Sequence, residues 1–148
     1  MKDVLISIKG IHDLLDDSFG AQDPIELVTS GKYSHSEDET VFSYMESEMT
    51  GMPGTKTTFR IKPDIVTLER EGSTNSHMVF QRGKKHIFLY DTEYGSVSMG
   101  VSTVRLSSGM TGSGGEIEID YALDIDSAVV SNNLFIIKIT QPDNRAAQ

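Results

Sequence analysis

The stretch EIEIDYALDID, Glu116 to Asp126, decides how the chain is to be read. Ile117, Ile119, Tyr121, Leu123 and Ile125 alternate with Glu116, Glu118, Asp120, Ala122, Asp124 and Asp126 through eleven residues without a slip. Successive side chains of an extended chain point to opposite faces, so this is a half-buried strand. A surface helix would repeat its apolar residues every three and four positions instead.

The same period runs outward in both directions. Strands are expected at VLISIK (4–9), IELVTSGKYS (25–34), TVFSYMESEM (40–49), KTTFRI (56–61), DIVTLERE (64–71), SHMVFQR (76–82), HIFLYD (86–91) and LFIIKIT (134–140). Turn chemistry separates them. Met52-Pro53-Gly54-Thr55 offers Pro and Gly at the two central positions of a type II turn. Pro63-Asp64, Glu71-Gly72 and Arg82-Gly83-Lys84 mark further reversals, and Gly109 to Gly115 reads as a flexible connection. The one helix candidate, Gly10 to Ser18, is short and suits a loop equally well.

Upstream of Gly109 the alternation changes phase. Val97, Met99 and Val101 occupy odd positions, whereas Val104 and Leu106 occupy even ones. One inserted residue sends later side chains to the opposite face, so a β-bulge is expected near Ser102-Thr103, just after Gly100. A bulge also supplies the bend that a curved sheet requires. Short links between many strands favour an antiparallel meander, and closure removes exposed edges. The expected fold is all-β: one meander closed into a calycin/lipocalin-like barrel of about eight to ten strands with little or no helix. A single domain is expected over residues 1–141, with a frayed tail over 142–148.

Several of these stretches resemble a known family. GKYSHSEDETVFSYMESEMTGMPGTKTTFRI, VTLEREG, NSHMVFQRG, YDTEYGSVSMGVST and GGEIEIDY are together similar to the YwiB-like proteins, a bacterial family of unknown function with a calycin-type barrel. The resemblance extends from Leu5 to Ile139 and implies a fold. It rests on strands and punctuation, such as Tyr44 with Glu46, Arg70 with Gly72, and Tyr90 with Thr92 and Gly95. Some calycin barrels hold small apolar ligands in the lumen.

Composition limits the function. The 148 residues are 37% hydrophobic and 24% charged, which is ordinary for a soluble globular chain. The lack of cysteine excludes disulfides, thiolate metal sites and cysteine nucleophiles, and fits a reducing cytoplasm. A net charge of −9 with a pI near 4.8 argues against nucleic acid as a partner and against an anionic membrane surface. No apolar run approaches the roughly 20 residues of a membrane-spanning helix.

No catalytic or cofactor motif stands out. GSGGE, Gly112 to Glu116, lacks the spacing of a nucleophile elbow. His12, His35, His77 and His86 are scattered, so no metal is assigned to them. The acidic residues of the Glu116–Asp126 strand stand roughly 6.5–7 Å apart along one face. Calcium requires oxygens at about 2.3–2.6 Å, so that face reads as a solvated outer wall.

The notable group is polar residues in phase with apolar ones. Phe42 and Tyr44 share a face with Glu46, Val66 and Leu68 with Arg70, and Phe88 and Tyr90 with Thr92. Inside a barrel, Tyr44, Glu46, Arg70, Tyr90 and Thr92 would form the polar anchor of a ligand site, with Glu46 and Arg70 as a partly buried pair. Two functional classes follow. One is a non-catalytic barrel holding a small apolar or amphipathic ligand. The other is an interaction module or homo-oligomer whose lumen is filled by Phe42, Tyr44, Phe59, Met78, Phe80, Phe88, Tyr90 and Tyr121. Its contact surface would be the apolar patch on LFIIKI. An enzyme stands third.

Overall fold

The computed structural model describes residues 2–14, 25–47, 53–72, 75–92 and 95–141, the side chains of 12–14, 25 and 90–92 excepted. Ten strands account for most of them. They are β1 Lys2–Leu14, β2 Ile25–His35, β3 Thr40–Met45, β4 Lys56–Ile61, β5 Ile65–Glu71, β6 Ser76–Gln81, β7 Lys85–Thr92, β8 Gly95–Thr111, β9 Gly114–Ile125 and β10 Ala128–Thr140. Gly10 to Leu14 therefore extends β1, and the remainder of the helix candidate, 15–18, lies outside the described residues. So does the tail 142–148. No helix of the described residues is long and apolar enough to cross a membrane.

All ten strands form one antiparallel sheet in the order β6-β5-β4-β3-β2-β1-β10-β9-β8-β7. Its two edge strands, β6 and β7, are consecutive in the chain, so the sheet curls into a nearly closed barrel. Three residues join them. Lys84 N–H donates to Gln81 O at 3.0 Å, and Gly83 N–H donates to Thr103 O at 2.9 Å. His86 Nε2 meets Gln81 Oε1 at 2.9 Å across the start of the seam. Among the described residues no ladder joins β6 to β7 beyond that turn.

The alternation read from the sequence becomes the inner face. Val4, Ile6, Phe42, Phe59, Val66, Leu68, Phe80, Val101, Ile117, Ile119, Ile137 and Ile139 are all buried, each worth about 1.5–3 kcal/mol on leaving water. Aromatic rings fill the middle of the lumen. Phe42 stacks on Phe59 at 4.8 Å, and Tyr121 packs between Phe80 at 4.9 Å and Phe135 at 5.7 Å. Phe88 packs against this core from β7, half-buried.

The bulge exists, but it lies one residue later than expected. Thr103 pairs with Tyr121 and Arg105 with Asp120, which leaves Val104 as the extra residue. Val104 is 68% exposed and Thr103 is buried, so the apolar side chain lies outside and the polar one inside. Leu106 and Met110 return inward after it. β10 carries a matching irregularity between Val129 and Ser131, so both neighbours of the unbroken β9 bend around it.

The Gly-rich link is also tighter than expected. β8 runs to Thr111 and β9 begins at Gly114, so Gly112 and Ser113 alone make the turn. Thr111 Oγ1 closes it by donating to Gly114 O at 2.9 Å. The outer acidic wall has one exception. Asp124 is 7% exposed and pairs with Lys85 Nζ at 2.9 Å.

Candidate functional site

Ladder register assembles the site. Tyr44 on β3 stands opposite Thr57 on β4, Thr57 opposite Arg70 on β5, and Arg70 opposite Ser76 on β6. Opposed residues of antiparallel strands have Cβ atoms about 4.5–5.5 Å apart, so these four form a continuous polar rung across one wall. Glu46 follows Tyr44 on the same face and is held at the end of β3 by its N–H donating to Thr55 O at 2.8 Å. Glu46, Thr55 and Thr57 are buried, whereas Arg70 and Ser76 are half-buried. The members of the rung nearest β6 are therefore the more exposed ones, although Arg70 Nε and Ser76 Oγ are themselves buried.

Five buried side-chain atoms of the described residues have no hydrogen-bond partner: Glu46 Oε1, Thr57 Oγ1, Arg70 Nε, Ser76 Oγ and Thr103 Oγ1. Four belong to this rung and its extension at Glu46. An unsatisfied buried polar group costs about 1–3 kcal/mol, so several at one spot need an explanation beyond chance.

Tyr44 ties the group together electrostatically. Burial holds its hydroxyl proton well above the usual tyrosine range, and the negative charge of Glu46 adds to this. Arg70 pulls in the opposite direction. The Tyr44 hydroxyl lies beside both the Glu46 carboxylate, which strengthens its hold on the proton, and the Thr57 hydroxyl, which weakens it.

A second rung faces the first. Thr103, Tyr121 and Asn133 are opposed across β8, β9 and β10. Asn133 Nδ2 donates to Ser131 Oγ at 3.0 Å in the interior. Tyr121 is buried, which raises its hydroxyl well above the usual range, and the Arg70 charge partly offsets the rise. Arg70 thus acts on tyrosines of both walls.

Three of the five residues expected from the sequence, Tyr44, Glu46 and Arg70, lie on one wall in this way. Glu46 and Arg70 are not among the ion pairs of the described residues, and Glu46 Oε1 and Arg70 Nε are both unpartnered, so the expected pair does not form. Tyr90 and Thr92 hold β7 positions opposite Val97 and Gly95, but their side chains lie outside the described residues. Ion pairs of the described residues lie on the outer wall, among them Lys9 with Glu26, and Arg60 with Glu39 and Glu69. Sequence reasoning missed Thr57, Ser76 and Thr103. Thr57 was within reach, since it shares its face with Phe59 and Ile61.

Other features hold less chemistry. A cleft of about 410 Å³ at the opposite ends of β4, β5 and β6 is bordered by Lys62, Asp64, Arg82 and Leu106, and none of the unpartnered buried atoms borders it. His35 Nδ1 meets Thr40 Oγ1 at 2.7 Å, which leaves it apart from His77 and His86. Among the described residues, no three His, Asp or Glu side chains gather as a metal site would require.

The comparisons agree on architecture. The crystal structure of the YwiB protein from Bacillus subtilis superposes with a TM-score of 0.80 at 20% identity, covering 95% of this chain and 92% of that one. At that identity the likeness concerns the fold. No curated protein matches the chain. The family model described as "Domain of unknown function (DUF1934)" matches residues 6–137. Ten antiparallel strands carrying that family's pattern over most of their length make the chain a member of the DUF1934 family, a YwiB-like barrel.

Proposed function

We propose that the protein is a non-catalytic binding barrel that takes the polar head of a small amphipathic molecule at the Tyr44–Thr57–Arg70–Ser76 rung. The observation that carries this reading is the set of buried, unpartnered polar atoms at Glu46, Thr57, Arg70 and Ser76. Binding sites are commonly apolar walls with a few placed polar groups, and these four stand beside an aromatic core. Because rings fill the middle of the lumen, the ligand occupies the rung end of the barrel rather than its full length. The half-buried Arg70 and Ser76 mark the way in.

Arg70→Ala tests this reading against an internal brace. The expected result is a folded variant that loses less than about 3 kcal/mol, because Arg70 Nε has no hydrogen-bond partner to lose, although the buried Glu46 charge is left unbalanced. Native mass spectrometry of freshly purified protein should show a small molecule retained by wild type and absent from the variant. A loss of about 3 kcal/mol or more, with no retained molecule in either, would assign Arg70 to the brace instead.

A second reading, interaction through the barrel wall, is favoured by Ile87 and Leu89. They are 67% and 66% exposed on β7, beside the unladdered seam. A cleft of about 310 Å³ opens there between His77 and Val79 on one side and Ile87 to Leu89 on the other.

A further inference from the structure

Resting on the binding reading above, we infer that the ligand's head group is uncharged and carries a hydrogen-bond donor beside an acceptor, as a carboxamide does. The buried atoms left unpartnered are of both kinds. Glu46 Oε1 is an acceptor that requires a donor, and Arg70 Nε–H is a donor that requires an acceptor. Thr57 and Ser76 hydroxyls, also unpartnered, adapt to either role.

Charge points the same way. The formal charges of Glu46 and Arg70 cancel, and both act on the same Tyr44 hydroxyl, with opposite sign. A carboxylate head would satisfy Arg70 but would bring a second negative charge against Glu46, which is only 6% exposed. An ammonium head would satisfy Glu46 and meet the guanidinium. Like charges brought together away from water are costly, and a polar group left unpaired in the bound state adds to that cost. A carboxamide carries an N–H₂ donor and a C=O acceptor in one planar group, so it matches both kinds of unpartnered atom and adds no charge.

The test uses three probes that differ only in the head: hexanamide, hexanoate and hexylammonium, titrated by calorimetry into the full chain. Hexanamide is expected to bind at least about tenfold more tightly than either ion, since rejection arises from leaving buried polar groups unpaired. Glu46→Gln leaves Arg70 as the unbalanced charge and should shift preference to hexanoate. Arg70→Met should shift it to hexylammonium, with circular dichroism confirming the fold of both variants. Tightest binding of either ion by wild type would overturn the head-group assignment and leave the binding reading intact. Binding of none of the three, together with no retained molecule in native mass spectrometry, would overturn both. Unchanged preference in folded Glu46→Gln and Arg70→Met would remove this pair from the site.

Discussion

At the scale of single residues, Gly100 explains the oddest carboxylate in the molecule. A β-carbon there would stand 2.5 Å from Asp124 Oδ2 and 2.4 Å from Lys85 Cε, so glycine leaves room for their ion pair against the strand. Gly100→Ala should therefore cost about 1–3 kcal/mol by forcing a nearly buried carboxylate from its partner. In an Asp124→Ser background the same change should be close to neutral, and denaturant melts of the four proteins check it. An equal cost in both backgrounds would show that the pair is not what glycine accommodates. Tyr44 and Tyr121 make a pH prediction. In the fold their hydroxyls hold protons above the ordinary value of about 10, so their contribution is complete below that pH and is lost as pH rises beyond it. Melting temperature should fall above pH about 10, and more gently in the Tyr44→Phe, Tyr121→Phe double variant. Identical alkaline slopes would contradict the burial argument.

At the scale of strands, the bulge shows what pattern reading can and cannot resolve. The phase change between Val101 and Leu106 was visible because inner positions are chosen for burial, so a slip in register leaves a trace. Its exact residue was hidden because Val104 is an apolar side chain on the outside and Thr103 a polar one on the inside. Lysine at Val104 should change stability by no more than about 0.5 kcal/mol, whereas lysine at Val101 should prevent folding. A large cost at Val104 would place it in the core after all. The site divides along the same line. Tyr44, Glu46 and Arg70 were legible because each continues the phase of buried apolar neighbours on its own strand. Thr57 and Ser76 continue the phases of Phe59 with Ile61 and of Met78 with Phe80, but what joins them to Arg70 is ladder register between strands, which no single strand's pattern contains. Ser131 and Asn133 escaped for a third reason. They are buried polar residues in a part of β10 that lacks the apolar alternation by which strands are recognised.

At the scale of the whole barrel, stability and access are distributed unevenly around the wall. β1, β9 and β10 are long strands, laddered on both sides and packed over the most buried isoleucines. β6 and β7 are laddered on one side only, and they border both the half-buried end of the polar rung and the exposed Ile87 and Leu89. Regions with few buried contacts and unpaired backbone open first, and binding segments are drawn from that end of the scale. Amide hydrogen exchange should accordingly be slowest in β1, β9 and β10 and fastest in β6 and β7 among the ten strands. Added ligand should slow exchange at Arg70 and Ser76 more than at Ile117 or Ile137, since only the former pair lines the rung. The seam also discriminates between the two functional readings. An edge covered by another chain loses its free amides, so β7 protection as high as that of β9 in wild type would mean that the seam is occupied in solution. Leu89→Lys would then lower that protection and the sedimenting mass together, and the interaction reading would replace the ligand reading as the barrel's principal role. Fast exchange along β7, unchanged by Leu89→Lys, would leave the seam as the flexible side of a ligand-binding barrel.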